Sequence, residues 1–228
     1  MMLRLSELYI STQGEGPSTG IMTAFVRFAG CNMRCPGWPC DTPYAIEPSI
    51  WRHESEKLDA VTLAQRVMAV CEEDGAHNVC FTGGEPFMQP DGELHELAKI
   101  LNGHGYDMEV FTNGSYRFRS WVHGLQVMMD WKLAGSGESM NHRAERTWNA
   151  GELKTTDGIK FVVKTVNDLD EAMRVAEVLK TKAQYWVGAA WGHIRDDFIV
   201  DYIKHYKLPW RLNVQTHKYV WEPTQRGV

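Results

Sequence analysis

The sequence contains no long uninterrupted run of apolar residues, no internal repeat and no low-complexity tract. A secretion signal or a membrane span needs such an apolar run, and the first residues, Met-Met-Leu-Arg-Leu-Ser-Glu-Leu, do not supply one. A basic excess is absent too, because 24 Lys and Arg are set against 29 Asp and Glu, which gives a net charge of −5. Nucleic-acid and membrane partners are therefore not expected. We expect a soluble protein of the cytoplasm.

Cysteine is scarce, with five in 228 residues, but its distribution is uneven. Three cysteines fall within ten positions: Cys31, Cys35 and Cys40. Dense thiols without a secretion signal favour a metal or cluster site over disulfides. A closed zinc or iron–sulfur site normally takes four protein ligands, so three leave one metal position open to another molecule. The alternative is a structural zinc site completed by a histidine such as His53. Cys71 and Cys80 lie in apolar patterns and are expected to be buried hydrophobic side chains.

Apolar strand-like runs alternate with helical patterns along the chain, which predicts a parallel sheet of the α/β class, either open or as a partial barrel. We expect one domain over residues 1–228. The strands are predicted at residues 23–28, 78–81, 108–112, 125–129, 159–166, 185–187 and 211–214. Thr62 and Asn167 are predicted to cap helices and Gly75 to end one. Residues 134–156 are predicted to be irregular.

Short polar or glycine-rich motifs follow four of the predicted strands. They are the segment of the three cysteines, Gly83-Gly84-Glu85-Pro86, Thr112-Asn113 and Asp130-Trp131-Lys132. In parallel α/β folds the chemistry collects at the carboxyl ends of the strands. The glycines let a ligand approach the backbone closely, and Pro86 stiffens the exit of its turn. The convergence of the four motifs predicts one active site at that edge.

The content and order of these motifs resemble the radical S-adenosylmethionine (SAM) enzymes, and among them the 7-carboxy-7-deazaguanine synthase family. The matching segments run from about residue 7 to the C-terminus. They are Gln13-Gly14-Glu15-Gly16-Pro17, Phe25-Val26-Arg27, Ala29-Gly30-Cys31-Asn32, Cys40-Asp41-Thr42, Phe81-Thr82-Gly83-Gly84-Glu85-Pro86, Thr112-Asn113-Gly114 and Gln215-Thr216-His217-Lys218. The resemblance implies a partial (β/α) barrel of the radical SAM type.

The resemblance also implies what each group of residues binds. The three clustered cysteines would hold a 4Fe-4S cluster whose fourth iron chelates SAM. The SAM pocket would be lined by Gly83, Gly84, Glu85, Thr112, Asn113, Asp130 and Lys132. Thr42 would ligate Mg²⁺. The substrate, 6-carboxy-5,6,7,8-tetrahydropterin, would contact Thr12, Gln13, Gly14, Glu15, Arg27 and Thr82, with His217 nearby. The carboxylate of the C-terminal residue, Val228, would help to cover the substrate.

The chemistry of these residue types agrees with that assignment. A pterin presents adjacent donors on its amino-pyrimidinone edge, which a carboxylate such as Glu15 accepts in pairs. The guanidinium of Arg27 matches the carboxylate of the substrate, and a Thr42 hydroxyl is the hard oxygen that Mg²⁺ prefers. Two alternatives remain open. Glu15 and Arg27 could form a mutual surface ion pair, and His217 could be a polar residue on an edge strand whose hydrogen bonds are all made within the protein.

The implied reaction is a radical ring contraction in 7-deazapurine (queuosine-type) biosynthesis. An electron from an external donor such as a flavodoxin reduces the cluster, and SAM is cleaved to methionine and a 5′-deoxyadenosyl radical. The radical takes a hydrogen from carbon 6 of the pterin, the ring contracts and ammonia leaves, giving 7-carboxy-7-deazaguanine. The cofactor carries the radical chemistry while the protein binds and orients. A homodimer is expected.

The sequence departs from the family pattern at three places. Pro36-Gly37-Trp38-Pro39 separates the last two cysteines, where many relatives have two residues. Asp130-Trp131-Lys132 stands where many relatives have Ser-Pro-Lys, and Gly188-Ala189-Ala190-Trp191 replaces an expected Gln-Pro pair. Two other functions are weighed against the main one. They are a radical SAM activase that places a glycyl radical on a partner protein, and a non-enzymatic zinc-binding module.

Overall fold

The computed structural model describes residues 1–38 and 40–228, and Pro39 lies outside the described residues. Nine strands of the described chain form one sheet. They are β1 Leu3–Thr12, β2 Met22–Phe28, β3 Glu56–Leu58, β4 Asn78–Gly83, β5 Asp107–Thr112, β6 Gln126–Asp130, β7 Gly158–Val163, β8 Gln184–Ala189 and β9 Arg211–Leu212. Their spatial order is β3-β1-β2-β4-β5-β6-β7-β8-β9, so the sheet is not closed on itself.

Seven neighbouring strands of the sheet run parallel, from β2 through β4 to β9. Their carboxyl ends therefore lie along one edge, as expected for βα units. The α/β fold with a parallel sheet is confirmed. β1 and β3 extend it in antiparallel sense and were not predicted. The alternation of side chains along β1 is interrupted between Leu5 and Glu7, where the register with β2 shifts, and this irregularity weakens the strand pattern in the sequence.

The described chain contains eight α-helices, of which the first seven lie between strands and the last follows β9. They are α1 Pro43–Ile46, α2 Pro48–Glu54, α3 Ala60–Asp74, α4 Asp91–Gly103, α5 Arg143–Glu152, α6 Val166–Val178, α7 Asp196–Tyr206 and α8 His217–Val220. None of the helices in the described part of the chain combines the length and apolar character needed to cross a bilayer.

The two faces of the sheet differ in chemistry. Val26 and Val110 belong to the face that joins the apolar core with helix residues such as Leu63. Successive residues of a strand point to opposite faces, so the alternate positions form a second face. That polar face carries Arg27, Thr82, Glu109, Asp130 and Lys160, whose positions follow from the strand register. Cys71 and Cys80 are both buried, as predicted.

Two predicted helix caps are wrong. Helix α3 begins before Thr62, because the side chain of Asp59 accepts a hydrogen bond from the Thr62 backbone N–H at 2.8 Å. Helix α6 is capped by Thr165 instead of Asn167, since Thr165 and Asp168 form a reciprocal capping box. In both cases a stronger capping arrangement a few residues upstream determines the start of the helix.

The predicted irregular region at 134–156 contains helix α5 and a short 3₁₀ turn at Ala134–Ser136, so that prediction is wrong. The inward face of α5 includes the polar side chains Arg146 and Asn149, both fully buried. A helix that buries polar side chains shows little apolar periodicity, which explains the omission.

The predicted ends of three other elements can be compared with the structure. Gly75 ends α3 in the left-handed conformation with φ 70°, as predicted. The last strand ends at Leu212 instead of residue 214, and His217 begins a short helix instead of lying on an edge strand. The strand that was predicted to reach residue 166 ends at Val163.

Candidate active site

The cysteine segment follows β2 and is held by contacts with a distant turn. The Glu138 carboxylate accepts hydrogen bonds from the backbone N–H groups of Arg34 at 2.9 Å and Cys35 at 3.4 Å. The Gly37 N–H donates to the Ser136 carbonyl at 3.1 Å. Cys35 has a φ of 45°, a left-handed conformation that is uncommon for a side-chain-bearing residue. Hydrogen bonds within the protein therefore fix the conformation of the cysteine segment from Arg34 to Gly37.

The thiol groups have the surroundings of cluster ligands. Cys31, Cys35 and Cys40 are free thiols of intermediate exposure. The Cys31 sulfur accepts from the Met33 backbone N–H at 3.4 Å and from Asn113 Nδ2 at 3.7 Å. Burial raises the pKa of Cys31 to about 11, so the isolated thiol is protonated and a bound metal centre is what would deprotonate it. Such N–H···S donors tune iron–sulfur clusters.

The zinc alternative finds no support in the arrangement of the residues. Among residues 1–38 and 40–228, no three His, Cys, Asp or Glu side chains are placed to hold a single metal ion. His53, the proposed fourth ligand, is exposed on α2. Three cysteine thiols with one metal position left open remain the donor set that a 4Fe-4S cluster with a free iron takes.

The glycine motif after β4 packs directly against the cysteine segment. The Gly84 N–H donates to the Phe28 carbonyl at 2.9 Å, and the Glu85 N–H donates to the Gly30 carbonyl at 2.8 Å. A Cβ atom at Gly84 would collide with the Gly30 carbonyl, and Gly83 has a φ of 120°. Both positions therefore need glycine. The backbones after β2 and β4 are therefore in direct contact, with no side chain between them.

Glu85 links this turn to the end of the next strand. Its side chain is fully buried and accepts from Thr112 Oγ1 at 2.7 Å, the Asn113 N–H at 2.7 Å and the Phe87 N–H at 3.0 Å. Burial raises the pKa of Glu85 to about 7 in spite of these bonds. The carboxyl thus aligns two other residues expected around SAM, Thr112 and Asn113. Whether it also contacts SAM stays a prediction.

Asp130 and Lys132 form an ion pair at the end of β6, with 2.7 Å between Lys132 Nζ and Asp130 Oδ2. Trp131 between them points into the core. Burial opposes the charge of Lys132, but Asp130 and the thiols of Cys35 and Cys31 raise its pKa. Asp130 Oδ1 is buried and has no hydrogen-bond partner among the described residues. An unused buried acceptor of this kind fits the hydroxyl donors of a ribose.

Residues 13–16 form a loop after β1 that reaches over the polar face. Gln13 Nε2 donates to Glu109, and the Gly16 N–H donates to Asn213 Oδ1 at 2.8 Å. A Cβ atom at Gly14 would collide with the ring of His217, so the two residues are in close contact. Thr12, the preceding residue, ends β1. The structure thus brings the loop and His217 together, as the sequence predicted.

Glu15 is the most strongly held side chain of this loop. The whole residue is 8% exposed, and its side chain accepts from Lys160 Nζ at 2.6 Å on one oxygen and from Gln215 Nε2 at 2.8 Å on the other. Burial favours the neutral acid, but Lys160 and Gln215 outweigh it and the pKa falls to about 2. Each oxygen keeps a second acceptor position for a ligand. Burial lowers the pKa of the adjacent His217, which is therefore neutral at neutral pH.

Arg27 does not pair with Glu15, so the surface ion pair weighed in the sequence analysis is not formed. Its Nε donates to Glu7 at 2.8 Å and its Nη2 to the Tyr9 hydroxyl at 2.7 Å. Within the described residues, Nη1 makes no hydrogen bond. Thr82 lies directly opposite Arg27 in the parallel β2–β4 register. These two residues therefore share the polar face.

Thr42 lies beside the third cysteine and immediately before α1. Its Oγ1 is 3.6 Å from Cys40 Sγ and makes no capping hydrogen bond. Asp41 accepts from Lys218 Nζ at 2.8 Å, which ties this segment to α8. Val228 is partly buried at the end of the chain. The roles of Thr42 and Val228 stay predictions.

Several residues around the site were not predicted from the sequence. They are Glu7, Glu109, Glu138, Lys160, Asn213 and Gln215. One of them carries a signal that the sequence does show, because Lys160 is a charged residue inside the apolar run Gly158–Val163. Charges in buried strands are rare unless they are paired, so this lysine predicts a carboxylate partner without identifying it.

Comparisons with known proteins place the chain in a family. A family model described as a 4Fe-4S single cluster domain matches residues 12–151. The 7-carboxy-7-deazaguanine synthase of Methanospirillum hungatei is 34% identical over 223 residues, covering 97% of this chain and 86% of the relative. That of Clostridium acetobutylicum is 32% identical over 234 residues and covers all of both chains. The crystal structure of QueE from Escherichia coli has the same fold, with a TM-score of 0.69, 23% identity and 93% of each chain covered. The resemblance inferred from the motifs is therefore confirmed, and the chain belongs to the 7-carboxy-7-deazaguanine synthase family.

Proposed function

We propose that this chain is a radical SAM lyase that converts 6-carboxy-5,6,7,8-tetrahydropterin to 7-carboxy-7-deazaguanine with loss of ammonia, in 7-deazapurine biosynthesis. One observation carries the proposal most directly. The ionised Glu15 lies in the loop over the polar face that carries the oriented Arg27, and the cysteine segment with its free thiols follows β2 of the same sheet. Family membership supports the same conclusion.

The protein's own part in this reaction begins with substrate binding. Glu15, held as a carboxylate by Lys160, has acceptor positions left for the donor edge of the pterin. The unused Nη1 of Arg27 is available to the substrate carboxylate, which a guanidinium recognises well. His217, neutral and packed on Gly14, helps to close the loop without adding charge.

The cofactors are assigned to the residues that suit them. Cys31, Cys35 and Cys40 would hold the 4Fe-4S cluster, and Thr42 would contribute an oxygen to Mg²⁺. When bound, the cluster with SAM supplies the radical chemistry, which side chains alone do not provide. The SAM pocket would be formed by the strand ends that Glu85 aligns, together with the unused oxygen of Asp130. The protein would thereby fix the geometry of the bound cofactor.

Further parts of the proposal concern organisation and partners. We propose that residues 1–228 act as one domain and that two copies form a homodimer in the cytoplasm. Each turnover needs an electron, which an external donor such as a flavodoxin would deliver.

An anaerobic assay tests the function. The full-length protein is reconstituted with iron and sulfide and given SAM, the tetrahydropterin, Mg²⁺ and a reductant, and the product is identified by mass spectrometry. Formation of the deazaguanine with release of ammonia supports the proposal. Cleavage of SAM without turnover of the pterin would point to the activase alternative. Protein that retains zinc and no iron or sulfide would support the zinc module.

A further inference from the structure

Glu7 collects three hydrogen-bond donors from three separate parts of the chain. It lies opposite Arg27 in the β1–β2 register, and its side chain is 14% exposed. Its Oε2 accepts from Arg27 Nε at 2.8 Å and from the Tyr44 hydroxyl at 2.9 Å. Its Oε1 accepts from Arg226 Nε at 2.8 Å. One carboxylate thus joins β2, the helix after Thr42 and the C-terminal tail.

The contacts of Arg27 leave its guanidinium little freedom. Glu7 holds Nε and the Tyr9 hydroxyl holds Nη2 at 2.7 Å, while the guanidinium lies 5.7 Å from the centre of the Tyr9 ring. The guanidinium is a rigid plane, so fixing two of its nitrogens also fixes the third, Nη1. Glu7 therefore determines where the remaining donor of Arg27 lies.

The contacts of Glu7 leave one end of the Arg27 guanidinium without a partner in the part of the protein that the structure describes. Two guanidinium groups, from Arg27 and Arg226, share this one carboxylate. Arg226 also lies 3.7 Å from the centre of the Tyr44 ring and 3.6 Å from Glu54, whose side chain is 54% exposed. The two carboxylates balance the two guanidinium groups in charge. An anionic ligand would therefore be recognised by hydrogen bonds from Nη1 of Arg27 and not by a surplus of positive charge.

We propose that Glu7 is a positioning residue for carboxylate recognition. It fixes the guanidinium of Arg27 so that Nη1 is available to the carboxylate of the pterin, and Arg226 of the C-terminal tail supports Glu7 from the other side. This inference rests on the proposed function, because it specifies how that substrate is told apart from pterins that lack the carboxylate. Glu7 does not touch the substrate and takes no part in the radical chemistry.

The test compares two unreactive ligands, 6-carboxypterin and pterin, which differ only in the carboxylate. Calorimetry on the reconstituted full-length protein gives the affinity ratio of the two ligands. We expect Glu7→Gln to lower the affinity for 6-carboxypterin on the order of tenfold, by analogy with the lower end of what removing an orienting partner costs at metal sites. The affinity for pterin should change by less than about twofold. A merely structural role would weaken both ligands alike.

Two further variants separate the inference from the proposed function. Arg226→Ala removes a side chain that is 47% exposed, so the fold tolerates it, and should reduce the ratio by about twofold to fivefold. Glu54→Gln is the matched control, since it contacts Arg226 but not Arg27, and should leave the ratio unchanged.

The outcomes are distinguished through Arg27→Ala. If this variant lowers the ratio but Glu7→Gln and Arg226→Ala do not, the inference about Glu7 is overturned while the proposed function stands. If Arg27→Ala itself leaves the ratio unchanged, carboxylate recognition by Arg27 fails and the proposed substrate site fails with it. If Glu7→Gln does not fold, the ratio measured with Arg226→Ala decides the question.

Discussion

Replacing Lys160 with Met is expected to destabilise the protein strongly at neutral pH, because the Glu15 carboxylate is then buried without its cation. The two side chains are only 12% and 11% exposed, and Lys160 Nζ lies 2.6 Å from Glu15 Oε2. Removing one partner of a buried ion pair typically costs about 3–5 kcal/mol. Gln215 still donates to Glu15 in the variant, so we expect a loss of about 3 kcal/mol.

The pH dependence of the wild type follows from the pKa of Glu15, which is about 2 in the folded protein against an ordinary value of 4.5. Burial raises the pKa of Glu15. The charge of Lys160 and the hydrogen bonds from Lys160 and Gln215 lower it by more than burial raises it. As the pH falls, the unfolded chain therefore takes up the proton first. The stabilisation is complete above about pH 5 and is lost as the pH falls from 4.5 towards 2. It amounts to about 3 kcal/mol.

In the Lys160→Met variant, the protonation of Glu15 should change stability with pH in the opposite direction. Without Lys160, burial dominates and the pKa of Glu15 rises above 4.5, so the folded state takes up the proton before the unfolded chain does. Lys160→Met should then recover stability relative to wild type as the pH falls from about 7 to about 4. Gln does not titrate, so Glu15→Gln should lack the stabilisation that the ionised Glu15 gives the wild type at every pH above about 5.

Urea unfolding, followed by tryptophan fluorescence between about pH 4 and pH 8, measures these free energies. The double variant Glu15→Gln/Lys160→Met completes a double-mutant cycle and should be more stable than Lys160→Met at neutral pH. Lys204→Met is the matched control, because Lys204 pairs with Asp201 at 3.7 Å on the surface and should cost less than about 1 kcal/mol. Equal losses in the two lysine variants, or a pH profile of Lys160→Met parallel to wild type, would refute the reasoning.

The remaining predictions concern the cluster, the metal and the tail. Cys40→Ala should lose the iron–sulfur absorbance together with SAM cleavage. Cys71 is a buried thiol outside the cysteine segment, so Cys71→Ala should keep its iron. A fully loaded cluster in Cys40→Ala would contradict the assignment of Cys40 as a ligand. Thr42→Ala should weaken the stimulation by Mg²⁺ without changing the cluster spectrum, and undiminished turnover of wild type after exhaustive chelation would disprove the magnesium site. Deleting Val228 should raise the Michaelis constant for the pterin and leave SAM affinity unaltered, so unchanged kinetics would make the terminus a passive end.

The edge at which the site forms was predictable from the sequence, and so were the strands that lead to it. The runs before the cysteines, before Gly83 and before Asn113 carry several buried apolar residues and are interrupted by polar ones such as Arg27 and Glu109, as expected for parallel strands with one face in the core. Glycine and polar residues directly after such runs mark the carboxyl edge. Local sequence was sufficient here, because strand and motif are adjacent.

The partners of the predicted side chains were not predictable, because they lie far away along the chain. Lys160 is 145 residues from Glu15, and Gln215 is 200 residues from it. Nothing in a local pattern connects such pairs before the sheet order is known. Helix α5 was missed for a related reason, since its buried face is polar and its partners lie in other segments.

Gln215 shows why the site depends on the end of the chain as much as on its beginning. Its Nε2 lies 2.8 Å from Glu15 Oε1 and 3.4 Å from Asp41 Oδ2, so one amide joins the substrate loop to the segment between Cys40 and Thr42. The neighbouring Thr216 N–H donates to the Gly14 carbonyl at 3.1 Å. This segment follows the last strand of the sheet, so the loop after β1 takes its contacts from the far end of the chain. The loop that holds Glu15 and the segment between Cys40 and Thr42 are thereby held in place by the same few residues.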